Sequence, residues 1–342
     1  MGGTTRNILK ACLMAVAIAG QPLMAQGDDV IERSFCVFDP VGANGPLFNL
    51  MQSARPMALE NGVDLELRAY TSEKIAAEEF RNGQCDSVLI TGTMARDFNR
   101  FTGTIEAMGA LPGQEEMRMM MQVLSQDNAR KYLQTEKYEV VGVLPAGAIN
   151  LYLDDRRIDS VEKLQGKRIA TMDHDKAAIT LVRHVGGSVV GSSTSNFSGR
   201  FNNGSVDVAY APAVAYEPLE LYRGLGDDGG IMDYNVAQMT FQILVRRDRF
   251  PEKYTTNVRD YAFSRVDEAY EIIADAESGI KDSYWMKPTP QERKDYDAML
   301  RQVRQQLRNE GEFDETALRL MKGIRCRVDG SRAECARTAS ND

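Results

Sequence analysis

Two histidines and a single tryptophan in 342 residues are a sparse supply, and the scarcity excludes whole classes of chemistry. His174 and His184 stand ten residues apart across a predicted strand-to-helix turn. No Gly-x-Ser-x-Gly elbow accompanies them, so an acyl-transfer site lacks parts. Phosphate-binding loops are missing too. The glycines at 42 and 45, in Gly42-Ala-Asn-Gly45, have neither the three-glycine dinucleotide spacing nor the Lys-Ser/Thr of a nucleotide loop. Acidic residues are abundant, yet no pair stands out as a glycosidase couple. Asp173-His174-Asp175 holds metal-ligating types, but three consecutive residues at a helix start point in different directions. Their simplest role is an anion-favouring first turn. The chain is therefore expected to carry no catalytic residue, no metal and no cofactor, and not to be an enzyme.

Positive charge is the minority sign, with 41 Lys and Arg against 49 Asp and Glu. Such a chain is a poor candidate for gripping nucleic acid or an anionic lipid surface. Long hydrophobic runs are absent after residue 25, so nothing there spans a membrane. The first 25 residues, MGGTTRNILKACLMAVAIAGQPLMA, have the layout of a secretory leader. Arg6 and Lys10 open it, Ala11 to Ala19 form a core too short to cross a bilayer, and Gly20 and Pro22 break the helix before cleavage near Ala25. Cys12 lies at the very head of that core, with Lys10 where a lipid-attachment signal wants a small or apolar residue, so no lipoprotein is expected. Losing Arg6 and Lys10 moves the net charge from −8 to −10. The expectation is an exported, soluble, periplasmic protein.

Four cysteines follow the leader: Cys36, Cys85, Cys326 and Cys335. An even count in an oxidising compartment suggests disulfides, with three possible connectivities. Cys326 and Cys335 enclose RVDGSRAE, where Asp329-Gly330 looks like a hairpin turn, which favours a local C-terminal staple. Cys36 and Cys85, each in or beside a predicted strand, then pair by default. A zinc site is the alternative, but the spacing matches no standard finger and only two histidines are available.

From residue 34 onward strand and helix alternate. SFCVFD reads as a strand, PLFNLMQSARPMALENG as helical, VDLELRAY as a half-buried strand, TSEKIAAEEFRNGQ as a capped helix, and DSVLITG as a buried strand followed by a short helix. EEMRMMMQVLSQDNARKYLQTEKYE reads as one long helix, its methionines filling core. VVGVLPAG and AINLYLDD read as strands interrupted by Pro145 and Gly147. The β-α-β grammar then repeats through RIATM, KAAITLVRHVGG and VDVAYAP, before a late strand, MTFQILVRR. A helical C-terminal third follows, with a capping box at Thr289-Pro290-Gln291-Glu292. The fold class is α/β with two lobes, each a mostly parallel sheet flanked by helices. The expected divisions are a leader at 1–25, lobe one at 26–145 and lobe two at 146–235. Residues 236–342 would hold a return strand to lobe one and C-terminal helices ending in a disulfide-closed hairpin.

Polar groups load the predicted strand ends. In open α/β sheets, ligands sit outside the carboxyl ends of the strands, near helix N-termini. The candidate ligand-binding residues are Asp39, Asn44, Thr91, Thr93, Arg96, Asn150, Tyr152, Asp173, Tyr210 and Gln242. Asp39 and Asp173 would suit a cationic or amine-bearing ligand.

Several segments resemble the exported solute receptors of tripartite ATP-independent (TRAP) transporters. SVEKLQGKRI (160–169) is similar to that family's approach to lobe two, FNNGSVDV (201–208) to a later strand approach, and LVRRDRFP (244–251) to the returning strand. CVFDPVGANGPLFNLM (36–51) and RDFNRFTGTIEAMGAL (96–111) look like a branch sometimes labelled as an efflux-pump component. The resemblance implies a type II-like periplasmic-binding-protein fold, a small-molecule ligand in an interlobe cleft, delivery to membrane transporter subunits, and a monomer. The family's carboxylate-clamping Arg falls on Ala170 here. Arg168, on the same strand face, is displaced by about 7 Å and is added as a candidate. The rival reading is an envelope accessory protein of an export or efflux complex with no transported ligand.

Overall fold

The computed structural model of the protein describes residues 30–335. The predicted leader and its cleavage point lie outside the described residues. Strands β1 (Ile31–Phe38), β2 (Val63–Tyr70) and β3 (Ser87–Thr91) run parallel in the order β2-β1-β3. Helices Pro46–Ser53, Arg55–Glu60 and Glu73–Arg81 connect them. All five residues of β3 are buried, as expected of a parallel strand covered on both faces.

Strand β4 (Tyr138–Leu153) runs for 16 residues. After it come β5 (Arg168–Met172), β6 (Ser188–Ser192), β7 (Val208–Pro212), β8 (Gly230–Met232), β9 (Ala237–Arg246) and β10 (Trp285–Met286). The main sheet order is β2-β1-β3-β9-β4-β7-β5-β6. Strand β5 lies parallel to β6 and β7, while β9 runs antiparallel between β3 and β4. The residues Ile149–Leu153 of β4 pair with β7, and its earlier part pairs with β9. One long strand thus ties two parallel strand sets into a two-lobe α/β fold.

The two strands expected around Pro145 and Gly147 are in fact this single strand. Its ladder shifts register between Val140 and Gly142 and again between Pro145 and Gly147. Proline lacks the ladder donor, so a bulge is where a strand tolerates it.

The helix expected over 115–139 also differs. It stops at Leu124, a 3-10 turn covers Asp127–Ala129, and a short helix covers Arg130–Leu133. Ser125, Asp127 and Asn128 favour local turns over helix, and Asn99 Nδ2 donates to the Tyr132 carbonyl at 3.0 Å, fixing the new direction. Met120 and Met121 are buried core, and Met119 packs partly buried against it.

Helices Glu252–Ser264, Val266–Ser278, Pro290–Asn309 and Glu315–Val328 complete the chain. The capping box forms: Thr289 Oγ1 accepts from Glu292 N, and the Glu292 carboxylate accepts from Thr289 N at 2.6 Å.

Both disulfides are present, Cys36–Cys85 and Cys326–Cys335, with Cα–Cα distances of 5.9 and 5.5 Å. The C-terminal one does not close a hairpin. Leu318, Met321 and Ile324, buried at helical spacing, carry the last helix through Cys326 to Val328. Cys335 returns on a 3-10 turn, Ala333–Cys335. The staple brings Glu334 beside Arg325, and the two make a buried fork at 2.6 and 3.2 Å.

Candidate functional site

The loop after β1 is organised by Asp39, which is fully buried. Its Oδ1 accepts from Val41 N at 2.9 Å and its Oδ2 from Phe48 N at 3.0 Å. The carboxylate therefore holds the turn and the first turn of helix Pro46–Ser53. It occupies the space a side chain at 45 would need: a Cβ on Gly45 would lie 2.0 Å from Oδ1. Gly42, at φ +84°, supplies the left-handed turn.

Two further carboxylates gather at the end of β3. Glu73 opens helix Glu73–Arg81, one residue past the N-cap Ser72. It is 2% exposed, and its Oε1 accepts from Thr91 N at 2.6 Å. Glu106 closes a 3-10 turn, Thr104–Glu106. Its Oε1 accepts from Gly92 N, Thr240 N and Thr240 Oγ1 at 2.7–2.9 Å, and its Oε2 from Thr93 Oγ1 at 2.7 Å. From the other strand set comes His174, whose Nε2 lies 3.9 Å from Glu73 Oε2.

These groups line one end of a cavity of about 700 Å3. Its wall draws on β1, β3, β4 and β9, on helices Pro46–Ser53, Glu252–Ser264 and Val266–Ser278, and on the ends of β5 and β7 at Met172 and Tyr210. Most of the wall is apolar, including Phe35, Leu50, Met57, Phe241, Tyr254 and Ile272. Among the lining residues Arg265 is the one Arg or Lys, and it is paired with Glu268.

Burial sets the electrostatics. It pushes Glu73 up to about 7, against the hydrogen bonds from Thr91, with Glu106 and Asp175 adding to the rise. Glu106 is raised by burial too, opposed by its Thr93 and Thr240 donors and by Arg96. His174 is held below its ordinary value by burial, partly offset by Asp175, Asp97 and Asp173. Asp175 caps its own helix, accepting from Ala177 N and Ala178 N at 3.1 Å. No group of three or more His, Cys, Asp or Glu able to hold a metal occurs among the described residues.

Of the sequence candidates, Asp39, Thr91, Thr93 and Tyr210 line the cavity. The others are placed elsewhere and are largely engaged. Asn150 Nδ2 donates to the Met232 and Tyr234 carbonyls. Gln242 Nε2 donates to the Thr102 carbonyl at 3.0 Å. Tyr152 sits in the core near Tyr216, its hydroxyl without a partner and its pKa raised by burial. Arg96 pairs with Glu312 at 3.1 Å under the ring of Phe313. Arg168 pairs with Asp207 at the start of β5, the end remote from the cavity. Asn44 is exposed, and Asp173 is exposed beside the polar groove at His184 and Glu310. Ala170, where a clamping Arg was sought, is fully buried among Tyr152 and Phe201.

Sequence reasoning missed Glu73, Glu106 and His174 as cavity groups. Glu73 reads as ordinary dipole-favouring acid in a first turn, and Glu106 lies on no periodic face. His174 stands beside Asp173 at a strand end and is considered for acyl transfer and metal binding, but it is not among the ligand-binding candidates.

Comparison with known proteins fits this architecture. A family model described as "Solute-binding protein AdeT 1/2" matches residues 51–340. The chain is 36% identical over 300 residues to a protein of Acinetobacter baumannii described as "Probable solute-binding protein AdeT1", covering 88% of this chain and 99% of that one. AdeT2 of the same organism is 26% identical, over 68% of this chain and 98% of its own length. Among solved structures, a TRAP periplasmic solute-binding protein from Desulfovibrio salexigens with bound orotic acid superposes with a TM-score of 0.72 at 14% identity, covering 87% of this chain and 99% of that one. The galactonate complex of the sugar acid binding protein DctPAm from Advenella mimigardefordensis gives 0.71 at 9% identity, covering 88% and 99%. These two share the fold. By the family match and the AdeT1 relationship, the chain belongs to the AdeT 1/2 family of solute-binding proteins.

Proposed function

We propose that the protein is an exported, periplasmic solute receptor. It takes a small organic ligand into the cavity between its lobes and hands it to the subunits of a membrane transporter. The observation that carries this reading is the cavity of about 700 Å3, walled by both parallel strand sets at one end. That volume lies within the range of small-molecule sites. Relatives of the same fold bind orotic acid and galactonate, and no helix among the described residues is long and apolar enough to cross a membrane.

The lobes meet near residues 145 and 236 in this reading. Closure bends β4 at its Pro145–Gly147 irregularity and β9 beside it. Native mass spectrometry of gently purified protein, with small-angle scattering before and after ligand removal, tests it. A co-purifying small molecule and a more compact ligand-loaded form are expected. No ligand, and no melting shift with any member of a broad panel of acids, sugars and amines, would overturn it.

A further inference from the structure

We propose that the ligand is an organic amine, its protonated nitrogen bound at Glu73 and its apolar body filling the rest of the cavity. This rests on the solute-receptor reading and deepens it.

The end of the cavity lined by Asp39, Glu73, Glu106 and Asp175 is acidic, while Ser87, Arg265 and Glu268 are polar points elsewhere on a mostly apolar wall. Glu106 has donors on both oxygens and Asp39 an amide on each, while Asp175 takes two amides on Oδ1 alone and is only half-buried. Glu73 differs. Fully buried, it is held by Thr91 alone, whose amide donates to Oε1 and whose side chain also bonds the carboxylate. The nearest approach from the other strand set, His174 Nε2 at 3.9 Å from Oε2, is beyond hydrogen-bond reach. A buried carboxylate with spare acceptor capacity is costly until a donor or cation reaches it. An ammonium nitrogen supplies both charge and hydrogen bonds, and charge-assisted bonds are about twice as strong as neutral ones.

A carboxylate ligand meets the opposite situation. It would face Glu73 and Glu106, and the nearby guanidinium groups are engaged elsewhere: Arg96, close to Glu106, with Glu312, Arg168 with Asp207 and Arg265 with Glu268, while Ala170 is a core residue. Binding an acid there adds like charges in a site poor in water. Burial disfavours the protonated His174 imidazole, which makes it a poor source of positive charge for an acid. Away from this end the wall is mostly apolar, with Phe35, Leu50, Phe241 and Ile272, and offers few groups for a sugar or a dicarboxylate to hydrogen-bond. An alkyl or aryl body is what such walls take.

The test uses a matched set with one apolar body: 4-phenylbutylamine, 4-phenylbutanol and 4-phenylbutanoate. Orotate, succinate and galactonate run beside them. Calorimetry on the purified protein at pH 8 keeps Glu73 ionised, since it takes up its proton at about 7, while a primary amine stays protonated. The amine should bind at least tenfold more tightly than the alcohol, and the phenylbutanoate weakest. Glu73→Gln should cut amine affinity at least tenfold and spare the alcohol, which separates a lost charge pair from a collapsed site. An amine affinity unchanged in E73Q overturns the proposal. So does tighter binding of any acid than of the amine, but that outcome leaves the solute-receptor reading standing. Binding by none of the six compounds counts against both.

Discussion

His174 Nε2 and Glu73 Oε2 face each other across the two strand sets at 3.9 Å, yet they are not charged together. Burial raises the carboxyl to about 7 and lowers the imidazole. Burial thus disfavours the charged form of both groups. The contact between lobes is therefore not an ion pair that locks them, and a ligand can separate them at little electrostatic cost.

Glu73 gives stability a pH dependence with a definite sign. Its folded value lies above its unfolded one, so it favours the folded state below about 4.5 and that contribution is lost as pH rises through about 7. The size is on the order of 3 kcal/mol. Glu106 works in the same direction, and His174, with its lowered value, in the other. Glu73→Gln removes the Glu73 part. The melting temperature of ligand-free E73Q minus that of the parent should rise from pH 5 to pH 8. A flat difference would show that Glu73 titrates normally.

Gly45→Ala should be destabilising although its backbone is ordinary. The new methyl collides with the Asp39 carboxylate, and displacing that carboxylate frees the Val41 and Phe48 amides. Overpacking of this kind costs about 1–3 kcal/mol. Urea unfolding measures it, and a midpoint equal to the parent's would mean Asp39 has another place to go.

Arg96 is a test of site against scaffold. Its guanidinium joins the segment after β3 to Glu312 and Phe313, just before the last helix. Arg96→Ala should lower stability by about 1–3 kcal/mol and leave ligand affinity within twofold. A large loss of affinity at preserved stability would return Arg96 to the binding residues.

The Cys326–Cys335 staple should contribute more than its short loop predicts. Loop entropy alone gives about 3 kcal/mol, but the same bond holds Glu334 against the buried Arg325. A Cys335→Ala variant should lose more stability than that in urea. In an Arg325→Met background the same substitution should approach the entropic value. Equal losses in both backgrounds would uncouple staple from fork.

Much of the fold was legible because strand and helix periods are local. VDLELRAY and the Thr289 capping box follow from spacing alone, and the core role of Met120 and Met121 from the way methionine packs. The errors came where tertiary contacts overrode a local pattern. The methionine helix bends away at Ser125 toward the Asn99–Tyr132 contact, and the last helix runs through Cys326 because Met321 and Ile324 have a core to enter. In the site, Asp39, Thr91, Thr93 and Tyr210 were visible as strand-end polar residues.

By itself the sequence determined the alternating α/β order, the disfavouring of nucleophile and phosphate chemistry, and the cysteine partners. Each of these depends on neighbours a few residues apart or on simple counts. Tertiary structure decided what the carboxylates do. Asp39, bracketed by Gly42 and Gly45, serves its own loop, whereas Glu73, disguised as a first-turn acid, faces the cavity with acceptor capacity to spare. Whether an acid caps a backbone or awaits a ligand depends on which amides the fold brings within 3 Å of it, and no spacing in the sequence encodes that.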